Sequence, residues 1–185
     1  MKAAVLYEYK QPLVVEEVEL DEPKAGEVLV KIGAAGICRS DRHFMRGDAR
    51  ISLPAVLGHE GAGTVERVGP GVTLTKPGDQ VILSFVPACG RCKFCLEGRS
   101  NLCDAHMATG ANMLDGTCRL HKGDQYIHHM GKVACFAEYA VVPETGCVPL
   151  SRPLPMDKAA MIGCCVPTGV GAALFSAKVQ PGSTV

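Results

Sequence analysis

From Lys2 to about Val142 the apolar residues come in short, largely β-branched runs that turn residues cut off after a few positions. Leu13–Leu20, Val28–Ile32, Thr64–Val68, Gln80–Leu83 and Phe136–Val142 are therefore expected to be strands. In the second of these, Val28, Val30 and Ile32 alternate with Leu29 and Lys31, the period of a strand with one buried face. The separators Pro23-Lys24-Ala25-Gly26, Gly69-Pro70-Gly71 and Lys76-Pro77-Gly78-Asp79 consist of residues that favour a fixed or a positive φ. Several short strands at this spacing point to a barrel or a sandwich.

After Leu150 the period changes. Pro153-Leu154-Pro155 closes the β part, and Asp157–Ile162 predicts a short helix. Pro167 opens a second helix, because a proline in the first turn gives up an N–H that has no partner there. That helix runs through Ala172–Phe175 and stops before Pro181-Gly182, and Ser183-Thr184-Val185 reads as the start of a further strand. Residues 1–150 thus form a mainly β unit, and 151–185 a helical connection. The stretch Ala159–Ala177 carries no charge and approaches the length of a membrane span. Gly163, Pro167, Thr168, Gly169, Gly171 and Ser176 break it up, so no membrane partner is expected.

Composition narrows the class. Hydrophobic residues make up 47% of the 185 and charged residues 21%, which suits a globular chain and excludes a disordered tail or a fibre. Nineteen basic residues balance nineteen acidic ones, which argues against nucleic acid as a partner. Met1–Glu8 holds one base and an apolar stretch ended by Glu8, unlike a secretory signal. The ten cysteines are accordingly expected in a reducing, cytoplasmic compartment, where thiolates can serve as ligands.

Four of those cysteines, Cys89, Cys92, Cys95 and Cys103, crowd into a lobe at about 86–106. Their spacing suits a closed tetrahedral zinc site. Arg91, Lys93 and Arg99 outnumber Glu97 there and offset the charge that four thiolates bring. The first three positions also fit an iron–sulfur ligand run, although the fourth spacing departs from it and Asp104 stands where that run has proline. Disulfides are a third alternative. A second set is dispersed: Cys38 within Gly36–His43, His59 within Leu57–Glu60, and Cys164 within Ile162–Cys165. Spacing alone does not bring these three together, and each suits a buried core position equally well. His106, His121, His128 and His129 have no ligand-like spacing and read as structural or solvent-facing.

In this order and at these separations, Gly36–Asp41, Gly58-His59-Glu60, the four-cysteine lobe and Ile162-Gly163-Cys164 resemble the zinc-dependent medium-chain alcohol dehydrogenase family, over the whole chain. The nearest branch is that of the class III and aryl-alcohol enzymes. The resemblance implies a mainly β fold with short helices, a GroES-like β-barrel catalytic domain truncated before a Rossmann cofactor domain. It implies two zinc ions per chain: a structural one on Cys89, Cys92, Cys95 and Cys103, and a catalytic one on Cys38, His59 and Cys164. Two cysteines and a histidine are the set for which alcohol dehydrogenases are known. Cys165 stands where the family commonly has glycine, and Cys164 holds the matching ligand position.

By the same resemblance, Asp41 orients His59, Glu60 sits behind the metal, and Ser40 passes the alcohol proton toward His43. Arg39 pairs with the pyrophosphate of NAD, and Thr168 contacts its nicotinamide. The implied reaction oxidises a primary alcohol or hydroxymethyl adduct to the aldehyde level, with hydride passing to NAD, in a full-length homo-oligomer. A small-molecule alcohol or aldehyde is the partner, and these 185 residues alone are expected not to turn over. Gly169-Val170-Gly171 lacks the third glycine of a dinucleotide fingerprint. The alternative is a non-catalytic zinc-binding module, against which Ser40, Asp41 and His43 around the first ligand speak.

Overall fold

In chain order the strands are β1 (Lys2–Leu6), β2 (Val14–Glu17), β3 (Glu19–Leu20), β4 (Glu27–Gly36), β5 (Ala55–Val56), β6 (Glu60–Val68), β7 (Gln80–Leu83), β8 (Leu120–Lys122), β9 (Gln125–His129), β10 (Tyr139–Pro143) and β11 (Cys147–Pro149). The α-helices are α1 (Arg39–Arg46), α2 (Lys93–Leu96), α3 (Asp104–Ala108), α4 (Met156–Met161) and α5 (Cys165–Gly171). These elements come from a computed structural model that describes residues 1–184. The strand start expected at Ser183–Val185 is not seen at Ser183 and Thr184, and Val185 lies outside the described residues.

The strands form a six-stranded sheet in the order β2-β1-β5-β9-β8-β3 and a five-stranded one in the order β10-β4-β6-β7-β11. Pairing is antiparallel throughout except between β5 and β9. A bridge between Ala3 and Ala137 and the bond from the Ala4 N–H to the Phe136 carbonyl (2.8 Å) tie the amino-terminal strand to the approach to β10. The result is a mainly β, barrel-like fold with short helices, as the sequence leads one to expect.

Two expectations need correction. β4 does not have a single buried face: Val28 and Val30 pack into one cluster, while Leu29 is buried in another with Met113 and Val141. β10 and β6 pair with its two edges while the two clusters cover its two faces at Val28, Leu29 and Val30, and Lys31 is left exposed. The run Leu13–Leu20 is also not one strand. It breaks at buried Val18, whose N–H bonds the Met1 carbonyl (2.8 Å), and the pieces β2 and β3 join opposite edges of one sheet.

Past the last strand, α4 docks on the five-stranded sheet. Ala159 and Ala160 bury against Ala62 and Ile82. Gly33 makes room for Met156, since a Cβ there would lie 2.8 Å from the Met156 Cγ. Gly169 and Gly171 are helical, so they form no phosphate-binding loop. Among the described residues no helix is long and apolar enough to cross a membrane.

Candidate metal centres and substrate cleft

The lobe between β7 and β8 is short on regular structure and is organised around its cysteines. Cys92 precedes α2 and Cys103 precedes α3, and the four Sγ atoms of Cys89, Cys92, Cys95 and Cys103 all lie within 4.8 Å of one another. A tetrahedral ion with Zn–S bonds of ~2.3 Å places its sulfurs ~3.8 Å apart, so the cluster fits zinc. All ten cysteines are free, which removes the disulfide alternative here. Burial raises the Cys103 thiol, but the N–H groups of Cys89 and His106 outweigh it and bring the pKa down to about 6. Burial and the neighbouring Cys92 push Cys95 up to about 12.

The dispersed set is assembled by loops at the ends of strands. Cys38 stands at the N-terminus of α1, and its N–H donates to Asp41 Oδ2 (2.8 Å). Asp41 Oδ1 accepts the Gly58 N–H (3.1 Å) and lies 3.3 Å from His59 Nδ1. Gly58 has φ +89°, and a Cβ there would sit 2.5 Å from Phe136 Cδ1, so the turn that aims His59 requires glycine. At that distance the buried Nδ1 makes no well-aligned hydrogen bond, but Asp41 is the group it faces, which leaves Nε2 for a metal. Burial lowers the His59 pKa, yet Asp41 and then Cys38 outweigh it and leave it raised. Phe85 packs edge-on against the imidazole at 5.2 Å.

Cys164 sits in the turn between α4 and α5. Gly163 lets that turn pass β7, because a Cβ there would lie 2.6 Å from the Leu83 carbonyl oxygen. Ligand atoms of Cys38, His59, Glu60 and Cys164 all lie within 4.8 Å of one another, whereas Cys165 is exposed. Glu60 is buried, and Gly36 leaves space for its carboxylate: a Cβ there would be 2.4 Å from Oε2. Burial pushes the Cys164 thiol up to about 11. For Cys38, burial is outweighed by bonds with Ser40 and His59, and the pKa is lowered. Two thiolates, an imidazole and a carboxylate suit a borderline-soft cation such as zinc.

His59 and Cys164 open onto a cleft of about 590 Å³. Ser40 and Thr168 also border it, while Phe44, Ile51, Phe85 and Met130 make its apolar wall. Ser40 Oγ is 3.8 Å from Cys38 Sγ, and Thr168 Oγ1 is 3.9 Å from Cys164 Sγ. Of the expected residues, Cys38, Asp41 and Glu60 do not line the cleft, and His43 and Arg39 lie toward solvent. His43 is half-exposed, with Nδ1 3.3 Å from Asp48 Oδ2, and Arg39 is exposed with no ion pair among the described residues. The apolar wall escapes a reading of the sequence because its members come from separate segments, each apolar for ordinary reasons.

The histidines divide. His129 accepts the Arg119 N–H at Nε2 (2.9 Å), His121 faces Asp21 (3.1 Å), and His128 meets Asn112 (2.7 Å), all structural arrangements. His106, expected to be structural or solvent-facing, instead borders the cleft. Its Nδ1 is buried without a partner, and burial pulls its pKa to about 4.

Residues 24–152 match the family described as the alcohol dehydrogenase GroES-like domain. Similar solved structures include the alcohol dehydrogenase zinc-binding domain protein from Burkholderia ambifaria, at 34% identity and a TM-score of 0.89. Benzyl alcohol dehydrogenase from Acinetobacter calcoaceticus matches at 32% identity and a TM-score of 0.87. Both matches cover 99% of this chain and 50% of the other, so the chain spans about half the length of these proteins.

Proposed function

Because the chain belongs to the alcohol dehydrogenase GroES-like domain family, we propose that it holds the zinc and the substrate of an NAD-dependent alcohol dehydrogenase. The reaction is oxidation of a primary alcohol, or of a hydroxymethyl adduct, to the aldehyde level. What supports this most is the donor set of Cys38, His59 and Cys164, of which His59 and Cys164 open onto a mainly apolar cleft that also holds Ser40. The aromatic rings of Phe44 and Phe85 in that cleft favour an aryl alcohol, and the Acinetobacter relative is named for benzyl alcohol.

Zinc at Cys38, His59 and Cys164 supplies Lewis acidity, which acidifies a substrate hydroxyl. The remaining roles belong to side chains of the chain itself. Ser40 Oγ accepts the alcohol proton. His43 follows one turn later on α1, so the two share a helix face and the proton moves from the cleft toward solvent. Asp41 keeps His59 in the tautomer that carries hydrogen on Nδ1. Glu60, whose carboxylate reaches the same donor cluster, would offer the metal a further oxygen donor. The exposed Arg39 pairs with the NAD pyrophosphate, where a planar guanidinium binds well, and Thr168 contacts the nicotinamide. Cys89, Cys92, Cys95 and Cys103 hold a second, structural zinc. We place the protein in the cytoplasm as a homo-oligomer.

The test is NADH formation from benzyl alcohol by the intact, zinc-loaded gene product. His43→Ala should slow turnover roughly 10²-fold near neutral pH, recover in part at higher pH, and keep both zinc ions. An intact zinc-loaded protein that reduces NAD with no primary alcohol would contradict the reading.

A further inference from the structure

Lys132 is fully buried, yet among the described residues its ammonium meets no carboxylate. Nζ donates instead to the carbonyls of His106 (3.0 Å) and Gly110 (2.8 Å). An ammonium taken out of water without a contacting carboxylate is costly, and burial pulls its pKa down to about 8 although the charge of the Cys103 thiolate opposes the shift. The backbone adds a second cost, since Lys132 has φ +60°, in the left-handed region that side chains rarely adopt. Strain of this kind persists where the surroundings over-determine it, often beside a working site.

The surroundings are the cleft. His106, Gly110 and Ala111 border it from one segment, and Met130 and Gly131, immediately before Lys132, border it from another. Lys132 is not itself on the cleft surface; it stands behind the place where the two segments meet. The His129 N–H also crosses between them, to the Ala111 carbonyl at 2.7 Å. Beyond that bond, Lys132 supplies two hydrogen bonds from a single atom.

We propose that Lys132 is a positioning residue for substrate: a strut whose ammonium fixes the His106–Ala111 wall against Met130-Gly131 and sets the cleft width open to the organic group of the alcohol. This rests on the dehydrogenase reading for its activity readout but not for its structural one. Releasing Nζ leaves the Gly110 carbonyl without its donor and the His106 carbonyl with only the longer bond from Thr109 Oγ1 (3.4 Å), and the wall moves to hydrate them. A bulky ring that needs a fixed width is then held less well than a small alcohol.

Three variants of the intact protein test it. Lys132→Met keeps the packing and removes the ammonium. Lys132→Gly also removes it and relieves the positive φ, so it serves as the second variant should the strained Met variant fail to fold. Lys132→Arg keeps a cationic donor and should restore much of the effect. In Met and Gly, amide hydrogen exchange across 106–111 should quicken about tenfold, with zinc content intact. The KM for benzyl alcohol should rise about tenfold, more than kcat falls and more than the KM for ethanol rises. Unchanged exchange at 106–111, or KM values for the two alcohols rising in proportion, would overturn the proposal. If no alcohol is oxidised even by the unaltered protein, the dehydrogenase reading falls while exchange still decides the strut.

Discussion

One carboxylate, that of Asp41, ties together groups that lie far apart in sequence: the Cys38 N–H, the Gly58 N–H and the His59 ring. Asp41→Asn keeps the shape but removes the charge and turns one acceptor into a donor. Zinc at Cys38, His59 and Cys164 should bind about 10- to 100-fold more weakly, with the four-cysteine site unaffected, as measured by chelator competition. His129 makes a pH prediction. It is buried and neutral, and burial together with Arg119 pulls its pKa to about 3. As pH falls below the ordinary histidine range, the unfolded chain takes up a proton that the folded one refuses until about 3. Stability should therefore drop through that window, by at most about 1.4 kcal/mol per pH unit from this group. In urea unfolding His129→Gln should flatten the slope. At this scale the sequence shows ligand types but not their meeting. Cys38, His59 and Cys164 come together only because Gly58 and Gly163 allow two tight passages, and pattern alone carries no such information.

Glycines on neighbouring elements test how the turns carry the site. At Gly163 an added methyl would strike the Leu83 carbonyl at 2.6 Å, and backbone cannot swing aside as a side chain can. Gly163→Ala should displace Cys164, cost about 1–3 kcal/mol, and lose the zinc of that site alone. Gly169 in α5 meets nothing within 4 Å, so Gly169→Ala should be neutral or stabilise by up to about 1 kcal/mol with both metals kept. Thermal unfolding with zinc analysis checks the pair. Elements with strong patterns were readable in advance: β7 and α4 fall almost where expected, and β6 extends the expected run back to Glu60. β1 was not expected, nor were β5, β8, β9 and β11, which have two to five residues each, too few for alternation to show. β10 starts at Tyr139 rather than Phe136 because the Cys135 and Phe136 N–H groups bond Gly58 and Leu57 instead, each at 3.1 Å. Those bonds support the turn that carries His59.

Across the whole molecule the two candidate metal centres differ in their setting. One closes a lobe that has little apolar core of its own, and the other lies where α1, the Gly58-His59 turn and the α4–α5 turn converge on a cleft. The first has four thiol donors; the second set opens through His59 and Cys164 onto the cleft, so chelator should reach it first. Cys103→Ser should cost folding of the lobe, because metal binding there is part of the folding free energy. Cys164→Ser should leave the fold standing. Elemental analysis during graded chelation, on the unaltered protein and these two variants, tests the two-centre account most directly. It predicts two zinc ions per chain leaving at well-separated rates, with Cys164→Ser keeping only the slow one. A single zinc, iron in its place, or two ions lost together would contradict it.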